Sequence, residues 1–284
     1  MAIFRNQATL SYGGNVTTSN VVTGELQQTV FVTKYAVTDT YNQDEVLTYV
    51  ISLVNTGTTP LTDLTVTDDL GAFTPGGTTL VPLDYVAGSV NYYVGGILQT
   101  PPTVLSTDPL TFTGISIPAE GNVFLVYEAR VNEFAPPVQG GTVINTVTVT
   151  GEGLPSPITA SETVTAASEA FLTIGKALSP TTVSEGDRLT YTFVIQNFGN
   201  TPVVATDNAT VTDNFDPILS ALSVTFNGAV WTEGVEYTYD EATGVFATVP
   251  SAILVPAATY TQDPVTGAWS VIPGVSTLVV VGTV

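Results

Sequence analysis

The chain has no cysteine and no histidine among its 284 residues. That excludes disulfides, thiolate nucleophiles, imidazole catalysis, and zinc or iron–sulfur centres built on those ligands. Cations are nearly as scarce: five Lys and Arg stand against 25 Asp and Glu, a formal charge of −20. Five cations cannot make a basic footprint for nucleic acid, so no nucleic-acid partner is expected. No apolar run approaches the roughly 18 residues of a membrane helix, and Leu278 to Val281 is only strand-sized, so no membrane insertion is expected. The opening MAIFRNQATL lacks a basic segment followed by an apolar one, so no secretory leader is expected either. What abounds is Thr (49) and Val (41), both strand formers, with Gly (25) and Pro (18) to make turns. The composition predicts an all-β chain.

One repeat is written twice. TVFVTKYAVTDTYNQDEVLTYVISLVNTGTTPLTDLTVTDDLG from Thr29 aligns with AFLTIGKALSPTTVSEGDRLTYTFVIQNFGNTPVVATDNATVTDNFD from Ala170. Shared landmarks are Lys34 and Lys176, LTY ending at Tyr49 and Tyr191, N-x-G at Asn55 and Asn197, and V-T-D ending at Asp68 and Asp213. Short alternating strands between turn signals predict two tandem immunoglobulin-like β-sandwiches, over residues 25–159 and 160–284. Residues 1–24 are then an N-terminal strand and linker.

The repeats end differently. The first continues into VINTVTVTG, Val143–Gly151; the second stops at Val284 without such a strand. The N-terminal FRNQATLSYGG matches that absent strand, and SNVVTG from Ser19 resembles SETVTA from Ser161. Asn6 lies 28 residues before Lys34, and Asn145 lies 31 before Lys176. A sandwich lacking one strand exposes a groove and unpaired edges. The expected remedy is donor-strand addition, with Phe4, Ala8, Leu10 and Tyr12 of one copy filling the second domain of the next. Such a contact does not close on itself and propagates as a filament, so the expected partner is the chain itself. Folding back within one copy stays open, because the 16 residues between Tyr12 and Thr29 can span at most about 55 Å.

Alternation with period 2 also places polar residues on apolar faces. Lys34 shares a face with Val30, Val32 and Ala36, and Lys176 with Leu172, Ile174 and Leu178; they are the only lysines. Asp68 aligns with Leu64 and Val66, Asp213 with Val211 and Phe215, Asn145 with Val143 and Val147, and Asn6 with Phe4 and Ala8. Buried charge is costly unless paired or neutralised. A Lys–Asp ion pair is one answer. The other is a reaction: desolvation favours the neutral amine and the protonated acid, the amine attacks the carboxamide, and ammonia leaves. A register that turns the lysines outward is the third reading.

The pattern K…N-x-G…V-T-D…N-x-A-T resembles the DUF11 conserved-repeat domains of bacterial surface proteins. The Lys, acid and Asn on first, middle and last strands resemble isopeptide-forming immunoglobulin-like domains of Gram-positive pilins and adhesins. The resemblance implies an autocatalytic Lys34–Asn145 bond promoted by Asp68, and a Lys176–Asn6 bond between copies promoted by Asp213. It implies a structural, non-enzymatic subunit of an extracellular fibre on a cell or spore surface. The chain departs from sortase-assembled pilins in showing neither secretion nor sorting signals. The alternative is a monomeric or surface-attached adhesin module. No cofactor and no metal are expected: the acids form no D-x-D-x-D-G calcium loop. N-V-T at Asn15 and N-A-T at Asn208 are near-chance sequon matches in a Thr-rich chain.

Overall fold

The computed structural model describes residues 2–26 and 28–284. Four short strands open the chain: β1 (Ala2–Asn6), β2 (Thr9–Tyr12), β3 (Asn15–Thr18) and β4 (Val22–Leu26). They form one long hairpin, β1 against β4 and β2 against β3, with Ile3, Phe4, Leu10, Tyr12 and Val16 exposed. Ser19 holds the middle of the hairpin, its N–H donating to the Ala8 carbonyl while its Oγ accepts the Ala8 N–H.

Twelve strands follow: β5 (Val30–Ala36), β6 (Thr40–Tyr41), β7 (Val46–Asn55), β8 (Leu61–Asp68), β9 (Leu83–Tyr85) and β10 (Asn91–Val94), then β11 (Ile97–Gln99), β12 (Thr103–Thr107), β13 (Leu110–Ile117), β14 (Gly121–Val131), β15 (Thr142–Thr150) and β16 (Ile158–Ala166). One sheet has the order β11-β10-β14-β7-β5; the other runs β12-β13-β8-β15-β16. Their inner faces alternate with period 2, as a half-buried strand must. Val123, Leu125, Tyr127, Ala129 and Val131 of β14 are all buried, as are Leu64, Val66 and Asp68 of β8. The result is a two-sheet sandwich of immunoglobulin type.

The remaining strands are β17 (Leu172–Ser179), β18 (Arg188–Asn197), β19 (Thr212–Asn214), β20 (Ser220–Phe226), β21 (Ala229–Trp231), β22 (Tyr237–Asp240), β23 (Val245–Thr248), β24 (Thr259–Gln262), β25 (Trp269–Ile272) and β26 (Gly274–Thr283). Their sheets are β21-β20-β26-β18-β17 and β22-β23-β19, with β24-β25 as a separate hairpin. A core of Tyr191, Phe193, Phe215, Val224, Phe246, Leu278 and Val280 fills the space between them.

The chain divides into two compact units. The first holds residues up to Asp39, Asp44–Asn132 and Val143–Val164; the second holds Thr40–Gln43, Glu133–Thr142 and Thr165–Val284. The boundary expected between residues 159 and 160 therefore falls inside β16. That strand stays ordered across it because β15 is its sheet neighbour, and its end, Thr165 and Ala166, pairs in parallel with Thr40 and Tyr41 of β6. Similarly, the expected N-terminal segment 1–24 stops inside β4, which runs to Leu26.

Eight strands of the second unit match strands of the first in sheet order. β17, β18, β26, β20 and β21 take the places of β5, β7, β14, β10 and β11, and β19, β23 and β22 those of β8, β13 and β12. Counterparts of β15 and β16 are absent among the described residues: β19 pairs with β23 on one side and has no strand on the other.

Candidate crosslinking site

Lys34 enters the first unit from β5, whose burial alternates from Val30 to Lys34 because the opposite face of that strand is solvated. Asp68 ends β8, and Asn145 sits near the start of β15; both are fully buried. Lys34 and Tyr127 belong to one sheet, Asp68 and Asn145 to the other, so the cluster bridges the sandwich. Lys34 Nζ and Asp68 Oδ2 form an ion pair with neither side chain exposed. Asp68 Oδ1 accepts the Leu70 N–H at 3.0 Å.

Tyr127 completes the site. Its hydroxyl donates to Asp68 Oδ2 at 2.7 Å and accepts from Asn145 Nδ2 at 3.1 Å. The ring stacks on Tyr49 with centroids 5.6 Å apart, and Lys34 Nζ lies 5.1 Å from the Tyr49 centroid and 5.9 Å from that of Tyr127. Asn145 Oδ1 is buried without a hydrogen-bond partner. Asp68 thus reaches the carboxamide through Tyr127 and makes no direct hydrogen bond to it.

Burial shifts the Lys34 amine toward its neutral form. Burial pulls the Lys34 pKa below the ordinary 10.5, and the Asp68 charge opposes that pull without cancelling it. Burial, reinforced by the Asp68 charge, pushes the Tyr127 phenol well above its ordinary 10.0, so the hydroxyl keeps its proton. The arrangement offers a dry amine, a carboxyl group paired with it, and a carboxamide on the facing sheet.

The second unit assembles only part of this set. Lys176 and Asp213 form an ion pair, with side chains 40% and 16% exposed. Lys176 Nζ lies 4.4 Å from the Tyr191 ring centroid. Every residue of β17 is exposed in the single chain, including Leu172, Ile174 and Leu178 on the lysine's own face. In the first unit the sheet facing Lys34 includes β15 and β16, whereas the sheet facing Lys176 holds no counterpart of them among the described residues. Asn6 is exposed and pairs with Val22 in the N-terminal hairpin. Phe4, Ala8, Leu10 and Tyr12 likewise lie exposed on that hairpin.

Sequence reasoning missed Tyr127, which alternation along β14 makes an ordinary core aromatic. The available signal was its hydroxyl, since a buried phenol needs a partner. No group of three or more acidic residues that could hold a metal ion occurs among the described residues.

No protein-family model matches the chain, and no curated protein sequence matches it. Among solved structures, the pilus backbone of Streptococcus pneumoniae is 13% identical, with a TM-score of 0.36 over 86% of this chain and 55% of that one. The major pilin subunit of Bacillus cereus is 13% identical, with a TM-score of 0.35 over 96% and 73%. The Staphylococcus aureus collagen adhesin is 12% identical, with a TM-score of 0.32 over 53% and 54%. Scores this low carry nothing about function.

Proposed function

We propose that this chain is the repeating subunit of an extracellular, cell- or spore-surface fibre, joined head to tail by its N-terminal hairpin and crosslinked by Lys–Asn isopeptide bonds. One observation carries the reading. Eight strands of the second unit repeat strands of the first in the same sheet order, none of the described residues takes the places of β15 and β16, and the hairpin β1–β4 carries a sequence that resembles that pair. Superposing Asn6 on Asn145 transfers the register of β15 against β8 to the joint. Val147 faces Asp68 and Val149 faces Val66, so Ala8 meets Asp213 and Leu10 meets Val211. Phe4, Asn6, Ala8, Leu10 and Tyr12 then share the inward face, against the exposed Leu172, Ile174 and Leu178. Strand addition of this kind joins unlike surfaces and propagates without closure.

Within the first unit, Lys34 is the nucleophile, Asn145 the electrophile and Asp68 the acid–base group. Across the joint, Lys176, Asp213 and the next copy's Asn6 take those roles. The protein acts on itself and turns over no substrate; its high negative charge keeps exposed repeats soluble. Heating purified material in SDS tests the reading. A ladder of multimers is expected, reduced to single chains by Lys176→Ala, which leaves the first-unit bond intact. Intact mass is expected to show one ammonia lost per bond. A single monomer band from filaments seen by electron microscopy would defeat the covalent joint, and a chain that never assembles would favour the adhesin module.

A further inference from the structure

Joining Lys34 to Asn145 requires the carboxamide nitrogen to depart as ammonia. An amide anion is not a leaving group, so Nδ2 must receive a proton as the C–N bond breaks. Asp68 is the nearest acid, yet it makes no hydrogen bond to the carboxamide. Tyr127 stands between them, within hydrogen-bond distance of Asp68 Oδ2 at 2.7 Å and of Asn145 Nδ2 at 3.1 Å. Both polar contacts of this fully buried hydroxyl go to reacting groups. Asn145 Oδ1, by contrast, has no hydrogen-bond donor. Assistance to the carboxamide is thus concentrated on the atom that leaves.

We propose that Tyr127 is a catalytic residue of the crosslinking reaction, the relay that carries a proton from Asp68 to Asn145 Nδ2; this rests on the isopeptide reading above. Lys34 first gives one ammonium proton to Asp68 Oδ2. The free amine attacks Asn145 Cγ, and the C=O π pair moves onto Oδ1. Nδ2 loses its conjugation and becomes basic. It takes the Tyr127 hydroxyl proton while Tyr127 takes the Asp68 proton. The Oδ1 pair reforms the carbonyl, the C–N pair leaves with ammonia, and the new amide nitrogen returns its surplus proton to Asp68. That last proton departs with ammonia as ammonium.

The surroundings suit a relay. The ring is clamped between Tyr49, at 5.6 Å, and Phe112, at 6.0 Å, which fixes the hydroxyl against both partners. The second unit lacks the device: Tyr127 faces Tyr49 across its sheet, and Val280 faces Tyr191 at the matching place. The Lys176–Asn6 bond is therefore expected to form more slowly than the Lys34–Asn145 bond.

The test uses the full chain in a Lys176→Ala background, where only Lys34 can react, made by cell-free translation and quenched over time for intact mass. Adding Tyr127→Phe keeps the ring and removes the hydroxyl. Ammonia loss should slow by about 10²-fold or more, the usual worth of a positioned general acid. Equal rates with and without the hydroxyl would overturn the relay alone. An absence of ammonia loss from the Lys176→Ala parent would overturn the isopeptide reading and the relay with it. Should circular dichroism show that the Phe variant fails to fold, difluorotyrosine at position 127 decides. Its more acidic hydroxyl should move the pH profile of the rate, and an unmoved profile would overturn the relay.

Discussion

Lys34 and Lys176 hold equivalent places on the first strand of their sheets, each paired with the acid across from it, yet the Lys34 side chain is wholly covered and that of Lys176 is 40% exposed. The sheet facing Lys34 includes β15 and β16, and the second unit has no equivalent of them among the described residues.

That difference is chemically readable. An amine-acylating reagent applied to separated chains should modify Lys176 and spare Lys34. In assembled material Lys176 should be protected, because the incoming hairpin lies over it. Peptide mass spectrometry reads both sites. Equal labelling of Lys176 before and after assembly would mean that the hairpin docks elsewhere.

Replacing Asn145 with Ala should restore the mass of one ammonia and lower the stability of the first unit. The bond would close a loop of about 110 residues, and a crosslink of that span is worth about 4–5 kcal/mol on the loop-entropy model. Chemical denaturation of wild type and Asn145→Ala, followed through the first-unit transition, measures the difference.

Asp68→Ala should be more damaging. It strands the Lys34 ammonium in a dry site and removes the acceptor of the Tyr127 hydroxyl, and breaking a buried pair from one side costs about 3–5 kcal/mol. Crosslinking should cease. Adding Lys34→Met to remove the stranded charge should recover part of the stability without restoring the bond, as read by melting temperature and intact mass.

In the uncrosslinked Asn145→Ala chain, stability should depend on alkaline pH with two opposing slopes. The Lys34 pKa is lowered in the fold, so the unfolded chain binds more protons below 10.5, and stability rises with pH across that window. The Tyr127 and Tyr41 phenols are raised in the fold, so their contribution is complete below 10.0 and is lost above it. Melting temperature should therefore climb toward pH 10 and fall beyond it. A monotonic decline from neutral pH would show that Lys34 is not held against its charged form.

Deleting residues 2–26 should leave unassembled chains. Supplying those residues as a separate peptide should then protect Lys176 from acylation, and an Asn6→Ala peptide should bind without forming an SDS-resistant product. Filaments grown by the deleted chain would rule out the hairpin as the joint.

Some of this was legible from residues alone. Side chains on a strand alternate by bond geometry, so V-F-V-T-K fixed the face of Lys34, T-V-T-D that of Asp68 and V-I-N-T that of Asn145. The internal repeat likewise aligned Lys34 with Lys176 and Asp68 with Asp213. Face is a local property and needs no knowledge of neighbours. Which faces meet is not local. Tyr127 reads as one more apolar position on β14, and only the approach of two sheets gives its hydroxyl to Asp68 and Asn145. Lys176 shows the converse: its strand carries the same alternation as that of Lys34, yet every residue of it is exposed, and its unit has no counterpart of β15 and β16 among the described residues. The chain's alternation and repeat set the direction of each side chain, while burial and hydrogen-bond partners came from the packing of strands far apart in sequence, because desolvation belongs to the assembled sandwich and to no single strand.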